Sequence, residues 1–373
     1  MNRPKKIRLG LIFGGRSSEH EVSVTSARSM MEVIDPEKYD IQLVGITPEG
    51  RWVAGANARR LLEGKKAGPG ETALLPQYPG NNRLVLENMP ERTAAGSTIE
   101  IDVFFPLLHG TYGEDGTIQG LLELTGIPFV GAGVAASAVG MDKIMMKDIF
   151  RARGLPALEY LFFLRSEWRM GQGKILDMVE NTFPYPVFVK PANTGSSVGI
   201  SKANNRDELI SAVMYAAEFD RKVLIEPGLD VREIECSVLG NDKPEASVPG
   251  EIVPSGEFYD YEAKYVDERS KLIIPAEIPD QQEEEIRDLA VRAFTALDCA
   301  GMARVDFFID RISGVVYINE VNTIPGFTPI SMYPKLWEAS GISYTALIDR
   351  LVELAFERHK DRLKSSTTYL PKK

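Results

Sequence analysis

Arg304, Asp306, Glu320 and Asn322 interrupt two otherwise apolar runs in GMARVDFFIDRISGVVYINEVNTIPG. The alternation of a strand puts Arg304, Asp306 and Phe308 on one face, and Glu320 and Asn322 on one face of the next. With DRISG as the turn, Asp306 falls opposite or diagonal to Glu320, within side-chain reach. Two carboxylates and an amide oxygen in an apolar setting are costly unless a cation neutralises them. Hard oxygen donors without histidine suggest Mg²⁺ or Mn²⁺, shared with a nucleotide phosphate. The competing reading is a solvated hairpin face, where carboxylates need no partner.

A second constellation is FVKPANTGSSVG. Lys190 ends an apolar run, where a bare ammonium is expensive without an anion. Gly195, Ser196, Ser197 and Gly199 follow. Glycines let backbone N–H groups turn inward around phosphate oxygens, and the hydroxyls add donors. The run is neither a Walker A loop nor a dinucleotide fingerprint, and the alternative is an ordinary hairpin turn. Lys143, in SAVGMDKIMMK, opens a predicted helix, where a cation is disfavoured unless an anion is near. Alone it reads as a solvated lysine; beside Lys190 it suggests a two-lysine grip on phosphates.

Glu226 ends the apolar run of VLIEPGL and suits a ribose or an adenine amino group, or else a surface position; Glu233 raises the same question. Glu19 sits at the first strand–helix junction, GGRSSEHEVS, and suits an ammonium group or the helix N-terminus itself. His109, before a glycine-rich loop in FFPLLHGTYGEDG, is a site candidate, whereas His20 and His359 read as surface residues. YDYEAKYVDERS is too long for a plain connector and reads as a lid, with Lys264 and Tyr265 reaching inward.

The elements that must position these groups follow from periodicity. Residues 7–15 read as a strand, with a helix after it from Ser17 or Ser18 as cap and Glu21 completing a capping box. Residues 39–47 and 101–108 are further strands, GTIQGLLELTG a helix and IPFVG a strand. Residues 55–98 read as loops and an irregular excursion. This alternation implies a doubly wound parallel sheet with its ligand crevice at the carboxyl ends of the strands. Then come a helix over MDKIMMKDIFRARG, a strand over LPALEYLFFL and a strand–loop–strand around Lys190. A helix over RDELISAVMYAAEFD and a strand at KVLIEPGL complete this region. Beyond Val231 follow strands REIECSVLG and ASVPGEIVP, a helix over QQEEEIRDLAVRAFTAL, the polar hairpin and a terminal helix, with KSSTTYLPKK as a disordered tail. The division is into 1–137, 138–230 and 231–373, in an α/β chain with α+β parts.

Composition narrows the class. A chain of 373 residues suits two or three domains. A net charge of -10 argues against a nucleic-acid footprint. Two cysteines make no disulfide framework, which favours a reducing compartment. No run of about 20 apolar residues offers a membrane span, so the expectation is a cytoplasmic protein.

In order, GGRSSEHEVS, LLHGTYGEDGTIQG, MDK, VKPANTGSSVG, the strand ending at Glu226, YDYEAKY, RVDFF and NEVNTIPG resemble the D-alanine–D-alanine ligase family of the ATP-grasp superfamily, from about Ile7 to Phe356. The resemblance implies a three-domain ATP-grasp fold and ATP-driven joining of two D-alanines through an acyl phosphate, for peptidoglycan precursors, by a homodimer. It implies that Asp306, Glu320 and Asn322 bind two Mg²⁺ (or Mn²⁺) ions bridging the ATP phosphates. Lys143, Lys190, Ser196, Ser197, Lys264, Asn319 and Glu320 would face ATP, with Glu226, Leu229 and Glu233 at its adenosine end. Glu19 would hold the first D-alanine's ammonium, with His109 nearby, and Ser196 and Tyr265 would link to Glu19. Arg304 and the Gly326 N–H would stabilise the oxyanion, and Ser331 and the Met332 backbone would take the second substrate's carboxylate.

Tyr265 is similar to the dipeptide-forming class, since relatives that make a D-lactate ester usually carry a lid histidine. Pro227, Gly228 and Met332 depart from common family residues. Readings that remain beside this one are a ligase using D-lactate or D-serine and a nucleotide-binding relative without catalysis. A nicotinamide oxidoreductase lacks the GxGxxG fingerprint.

Overall fold

The computed structural model of the chain describes residues 5–69, 72–76, 78–87, 98–253 and 271–366. The continuous apolar runs of the first third become strands covered on both faces, as parallel sheets require. β1 (Ile7–Gly14) pairs in parallel with β2 (Tyr39–Ile46) on one side and β7 (Val103–Leu107) on the other. β3 (Trp52–Ala54) is an antiparallel edge, giving the order β3-β2-β1-β7. From β1 the chain moves through α1 (His20–Val33) to β2, then returns across β1 to β7. That reversal opens a crevice at the carboxyl ends of β1 and β7. The loops leaving those two strands carry Glu19 and His109.

Several sequence expectations are corrected here. The first helix begins at His20, with Glu19 at its cap position and no side-chain cap bond. The Ser17 hydroxyl is taken elsewhere: it donates to the His109 carbonyl at 2.9 Å and accepts from Glu19 N–H at 3.1 Å. The stretch read as irregular contains α2 (Gly55–Leu62) and a three-stranded antiparallel sheet of β4 (Thr72–Leu74), β5 (Arg83–Glu87) and β6 (Thr98–Glu100). These strands are too short to display a period. Their stability comes from Ala73 and Leu84 packing into the core of Ile12, Val44 and Phe104. IPFVG forms only an isolated parallel bridge, Phe104 to Phe129.

After α3 (Thr117–Thr125), the segment around MDK is two helices, α4 (Val134–Met141) and α5 (Lys143–Ala152). Asp142 separates them and caps α5, accepting from Ile144 and Met145 N–H. A second sheet is wholly antiparallel: β8 (Leu161–Leu164), β9 (Val187–Pro191), β10 (Ser201–Ala203) and β11 (Lys222–Pro227), in the order β10-β9-β11-β8. β8 is shorter than expected, and α6 (Arg165–Thr182) follows it unannounced, with Gly171 breaking its helical geometry. α6 and α7 (Arg206–Phe219) bury Val179, Leu209 and Val213 against this sheet.

The third sheet runs β15-β14-β12-β16-β17, with β13 (Glu245–Ala246) on β12. Its strands are β12 (Val231–Gly240), β14 (Gly250–Val253), β15 (Lys271–Ile273), β16 (Gly301–Asp310) and β17 (Val316–Asn322). α8 (Asp280–Ala296) covers one face through Ile286, Leu289 and Phe294. The other face bears Arg304, Asp306, Glu320 and Asn322. α9 (Met332–Ala339) and α10 (Tyr344–Arg362) end the described chain. α10 packs Leu347, Leu351 and Leu354 into the same core as Leu9, Leu11 and Phe105 of the first sheet. Tyr39 seals that junction, donating to Asp349 at 2.6 Å. The predicted tail lies outside the described residues from 367 onward. No described helix is long and apolar enough to cross a membrane.

Candidate functional site

β16 and β17 pair with Arg304 opposite Asn322 and Asp306 opposite Glu320. A register shift follows Asp306, so that Phe307 faces Ile318 and Asn319 becomes the extra residue. A bulge of this kind re-aims side chains, and here both Asn319 and Glu320 line the open cavity. The solvated-face reading fails, because these groups are mutually engaged. Arg304 donates from Nε and Nη2 to both oxygens of Asp306, each at 2.7 Å, and its Nε is 2.9 Å from Glu235 Oε2. Asn322 Nδ2 donates to Asp306 at 3.0 Å.

Among the described residues no group of three His, Cys, Asp or Glu side chains is disposed to hold a metal. The donors Asp306, Glu320 and Asn322 form half a shell at most. That set fits a hard cation whose remaining oxygens come from phosphate and water, since Mg²⁺ demands near-octahedral oxygen ligation.

Above the hairpin lies the loop after β9. Ser196 and Ser197 adopt left-handed backbone angles, φ 49° and 58°, a conformation costing of order 1–3 kcal/mol per residue. Such strain is retained where the surroundings enforce it. Lys143 Nζ donates to the Thr194 carbonyl at 2.7 Å, Asn193 is tied to Asp220, and Ser196 Oγ donates to Glu19. A Cβ on Gly195 would come within 2.8 Å of Glu19 Oε2, so a side chain there would push the Glu19 carboxylate out of its place.

Lys143 is buried, with Nζ 3.6 Å from Glu320, which removes the solvated-lysine reading. Glu226 is 1% exposed and is no surface carboxylate. Its two oxygens lie 2.6 Å from Lys147 Nζ and 2.6 Å from Lys190 Nζ. Burial alone would push the Glu226 carboxyl up, but the two lysines outweigh it and hold it down at about 2. Together Lys143, Lys190, Ser197, Glu226, Leu229 and Glu233 line a cavity of about 600 Å³ that extends to Asp306 and Phe308. Small-molecule sites span roughly 300–1,000 Å³.

A smaller cavity of about 80 Å³ adjoins it and shares Ser196, Glu235 and Glu320 as walls. Glu19, His109, Arg304, Gly326, Ser331 and Met332 line it. His109 Nδ1 lies 3.0 Å from the Ile324 carbonyl and Nε2 lies 3.2 Å from Ser26 Oγ. A carbonyl only accepts, so Nδ1 carries the proton. Burial lowers the imidazole pKa, so the ring is neutral and Nε2 accepts from the Ser26 hydroxyl. Ser26 Oγ in turn accepts from Phe327 N–H at 3.2 Å. Glu114 accepts from Gly110 N–H and Ile324 N–H, both at 3.0 Å, and burial followed by the nearby Glu19 pushes its carboxyl up to about 8. Thr328 N–H donates to Ser331 Oγ at 3.0 Å, and Pro325 has no N–H. Gly326, between the bound N–H groups of Ile324 and Phe327, lines the cavity.

Met332 is buried against Ile252 and Leu336 and opens α9. The start of a helix presents N–H groups suited to a carboxylate. Lys264 and Tyr265, expected to reach inward, lie outside the described residues. His20, expected on the surface, is buried with Nδ1 2.8 Å from the Gly15 carbonyl. Both cysteines are buried, and burial pushes each thiol up to about 12, which leaves them inert at neutral pH.

Sequence reasoning passed over Ser26, Glu114, Lys147 and Glu235. Glu114 sits in the same HGTYGEDG run as His109 and was within reach of a motif argument. Ser26 and Lys147 lie inside helices, where a serine or a lysine gives no local sign of its distant partner. Glu235 shares its strand with apolar residues, the same signal that marked Asp306.

Residues 8–132 match the family model described as D-ala D-ala ligase N-terminus, and residues 149–353 match D-ala D-ala ligase C-terminus. A D-alanine--D-alanine ligase of Acetivibrio thermocellus is 52% identical over 372 residues, covering 96% of this chain and 98% of that protein. One of Geobacillus thermodenitrificans is 49% identical, covering 98% and 99%. Among solved structures, the D-alanine-D-alanine ligase of Coxiella burnetii superposes with a TM-score of 0.81 at 35% identity, covering 97% of each chain. The VanG D-Ala:D-Ser ligase of Enterococcus faecalis gives 0.83 at 35%, covering 94% of this chain and 100% of that one. With these matches spanning nearly the whole chain and both cavities, the chain belongs to the D-alanine–D-alanine ligase family and has its ATP-grasp fold.

Proposed function

We propose that the protein joins two D-alanines to D-alanyl-D-alanine at the expense of ATP, for peptidoglycan precursors. The observation that carries this is the adjacency of the two cavities across Ser196 and Glu320. A triphosphate in the larger one ends where a small amino acid in the other begins. A carboxylate is a poor acyl donor because oxide is a poor leaving group. Phosphorylation of the first D-alanine carboxylate, with ADP released, gives an acyl phosphate. The second D-alanine's amine attacks that carbonyl, loses a proton, and phosphate departs from the tetrahedral adduct.

The residues then divide by position. Glu19 binds the first ammonium, and Arg304 with Gly326 N–H faces the developing oxyanion, as a preorganised donor pair should. Ser331 and the start of α9 take the second carboxylate. Lys143, Lys190, Ser196 and Ser197 cradle phosphates, aided by Lys264 and Asn319. Leu229 and Glu233 lie at the adenosine end, where Pro227 and Gly228 supply backbone rather than side-chain contacts. Asp306, Glu320 and Asn322 would hold Mg²⁺ or Mn²⁺, two ions in our reading, which neutralise phosphate charge when bound. Residues 1–137, 138–230 and 231–373 act as three units closing on this centre, in a cytoplasmic homodimer.

Phosphate release with ATP, Mg²⁺ and D-alanine alone tests the reading, and competition by D-serine or D-lactate tests the acceptor. Tyr265→Phe should leave ADP affinity nearly unchanged and alter acceptor preference. Preferred use of D-lactate at neutral pH by the unaltered chain would overturn the dipeptide assignment.

A further inference from the structure

Lys147 stands four residues after Lys143 on α5 and its side chain is 1% exposed. Lys143, Lys190 and Glu226 line the large cavity, whereas Lys147 does not. Its Nζ is 2.6 Å from one Glu226 oxygen, and Lys190 Nζ is 2.6 Å from the other. Stability is a poor reason for such an arrangement. Burying an ammonium and a carboxylate costs about as much as their attraction returns, and an apolar pair of the same volume often does as well.

The charge count gives a better reason. Two ammonium groups and one carboxylate leave one positive charge, and of the two lysines it is Lys190 that lines the cavity, with its Nζ 5.8 Å from the Phe308 ring centroid. If Lys147 were absent, Glu226 would cancel Lys190, and the cavity wall would be neutral at that point. A unit charge acts strongly across a few ångströms of partly desolvated protein. We propose that Lys147 is a positioning residue that occupies Glu226 so that Lys190 delivers a full positive charge to the nucleotide's phosphates. This rests on the nucleotide reading of the large cavity. It assigns to a residue outside the cavity a part of the affinity for phosphate, separate from affinity for the nucleoside.

The test is the ratio of ADP to adenosine affinity, measured by isothermal titration on the full chain. In Lys147→Met, ADP should weaken about tenfold or more while adenosine changes less than about twofold. The KM for ATP should rise accordingly, with kcat at saturating ATP changed much less. Lys147→Met combined with Glu226→Gln removes both charges and frees Lys190, so the ADP-to-adenosine ratio should return to within about threefold of the unaltered chain. Glu226→Gln alone should raise that ratio, which keeps the test open should Lys147→Met fail to fold. Equal weakening of ADP and adenosine, or a double variant that recovers nothing, would show a purely structural pair and overturn the proposal. Failure of the unaltered chain to bind ADP would instead overturn the reading of the cavity.

Discussion

At the scale of single residues, the chemistry depends on charges set against one another at short range. Arg304 faces two carboxylates, Asp306 and Glu235, and still lines the small cavity. On the proposed reading, Arg304→Ala removes an oxyanion donor and leaves those carboxylates uncompensated beside a reaction that builds negative charge. The rate should fall roughly a hundredfold or more, measured as kcat with D-alanine. Arg304→Lys keeps the charge without the planar fork and should fall between. Near-normal turnover of the alanine variant would remove Arg304 from the oxyanion role.

Glu114 supplies a pH dependence. Its folded-state carboxyl is raised to about 8 by burial and by Glu19. A raised carboxyl binds its proton more tightly when folded, so its contribution is complete below the ordinary glutamate pKa and fades as pH rises through about 8. Glu114→Gln fixes the neutral form. The melting temperature of the variant minus that of the unaltered chain should therefore increase between pH 5 and pH 9. A difference that is flat, or that decreases, would place the Glu114 proton elsewhere.

At the scale of elements, the loop between β17 and α9 shows how a few side chains fix one backbone segment. Glu114 holds Ile324 N–H, His109 holds the Ile324 carbonyl, Ser26 holds Phe327 N–H, and Tyr344 donates to the Phe327 carbonyl at 2.7 Å. α1, α10 and the loop after β7 thus all grip one short segment around Gly326. Ser26→Ala leaves a buried imidazole nitrogen and a buried N–H without partners, a loss of about 1–3 kcal/mol in stability. With the loop no longer pinned, kcat should drop while the KM for ATP stays close to normal. A change confined to the KM for ATP would contradict this anchoring role.

The same loop shows what the sequence discloses. Carboxylates inside apolar strands announce themselves, because a buried charge needs a partner wherever it occurs; Asp306 and Glu320 were legible for that reason. The tight turn after β9 is legible from the glycines that follow Lys190. The helix start was misread because Ser17 bonds to His109, a residue 92 positions away, and a local cap rule has no view of such a competitor. β4, β5 and β6 were missed because strands of three to five residues carry too few alternations to outweigh their Gly and Pro. Ser26 and Lys147 were silent because helical periodicity reports which face is buried, not what a polar residue on that face meets.

At the scale of the whole molecule, three sheets with largely separate cores meet at one pair of cavities. One core lies in the antiparallel sheet of β8 to β11, another under the third sheet, and a third joins the first sheet to α10. Polar ties cross between these units: Tyr39 to Asp349, His109 to Ile324 and Arg358 to Gly131 join the first to the third. Ser196 to Glu19 joins the phosphate loop to the first unit, and Lys143 to Glu320 joins α5 to the hairpin. Nucleotide with a divalent ion would add contacts to both the central sheet and the hairpin, so its binding energy acts on the cohesion of the units as well as on occupancy. At a concentration one hundred times its Kd, a ligand specific to the folded state adds about 2.7 kcal/mol. For a chain of this length that corresponds to a rise in Tm of about 3 °C. Mg²⁺ with ADP should therefore raise Tm by more than ADP alone at the same nucleotide concentration. Glu320→Gln should erase the increment due to the metal while keeping most of that due to ADP, because Lys190 and the loop after β9 are untouched. An increment that persists in Glu320→Gln would move the ion away from the hairpin, since no other described carboxylate stands opposite Asp306 on that strand pair.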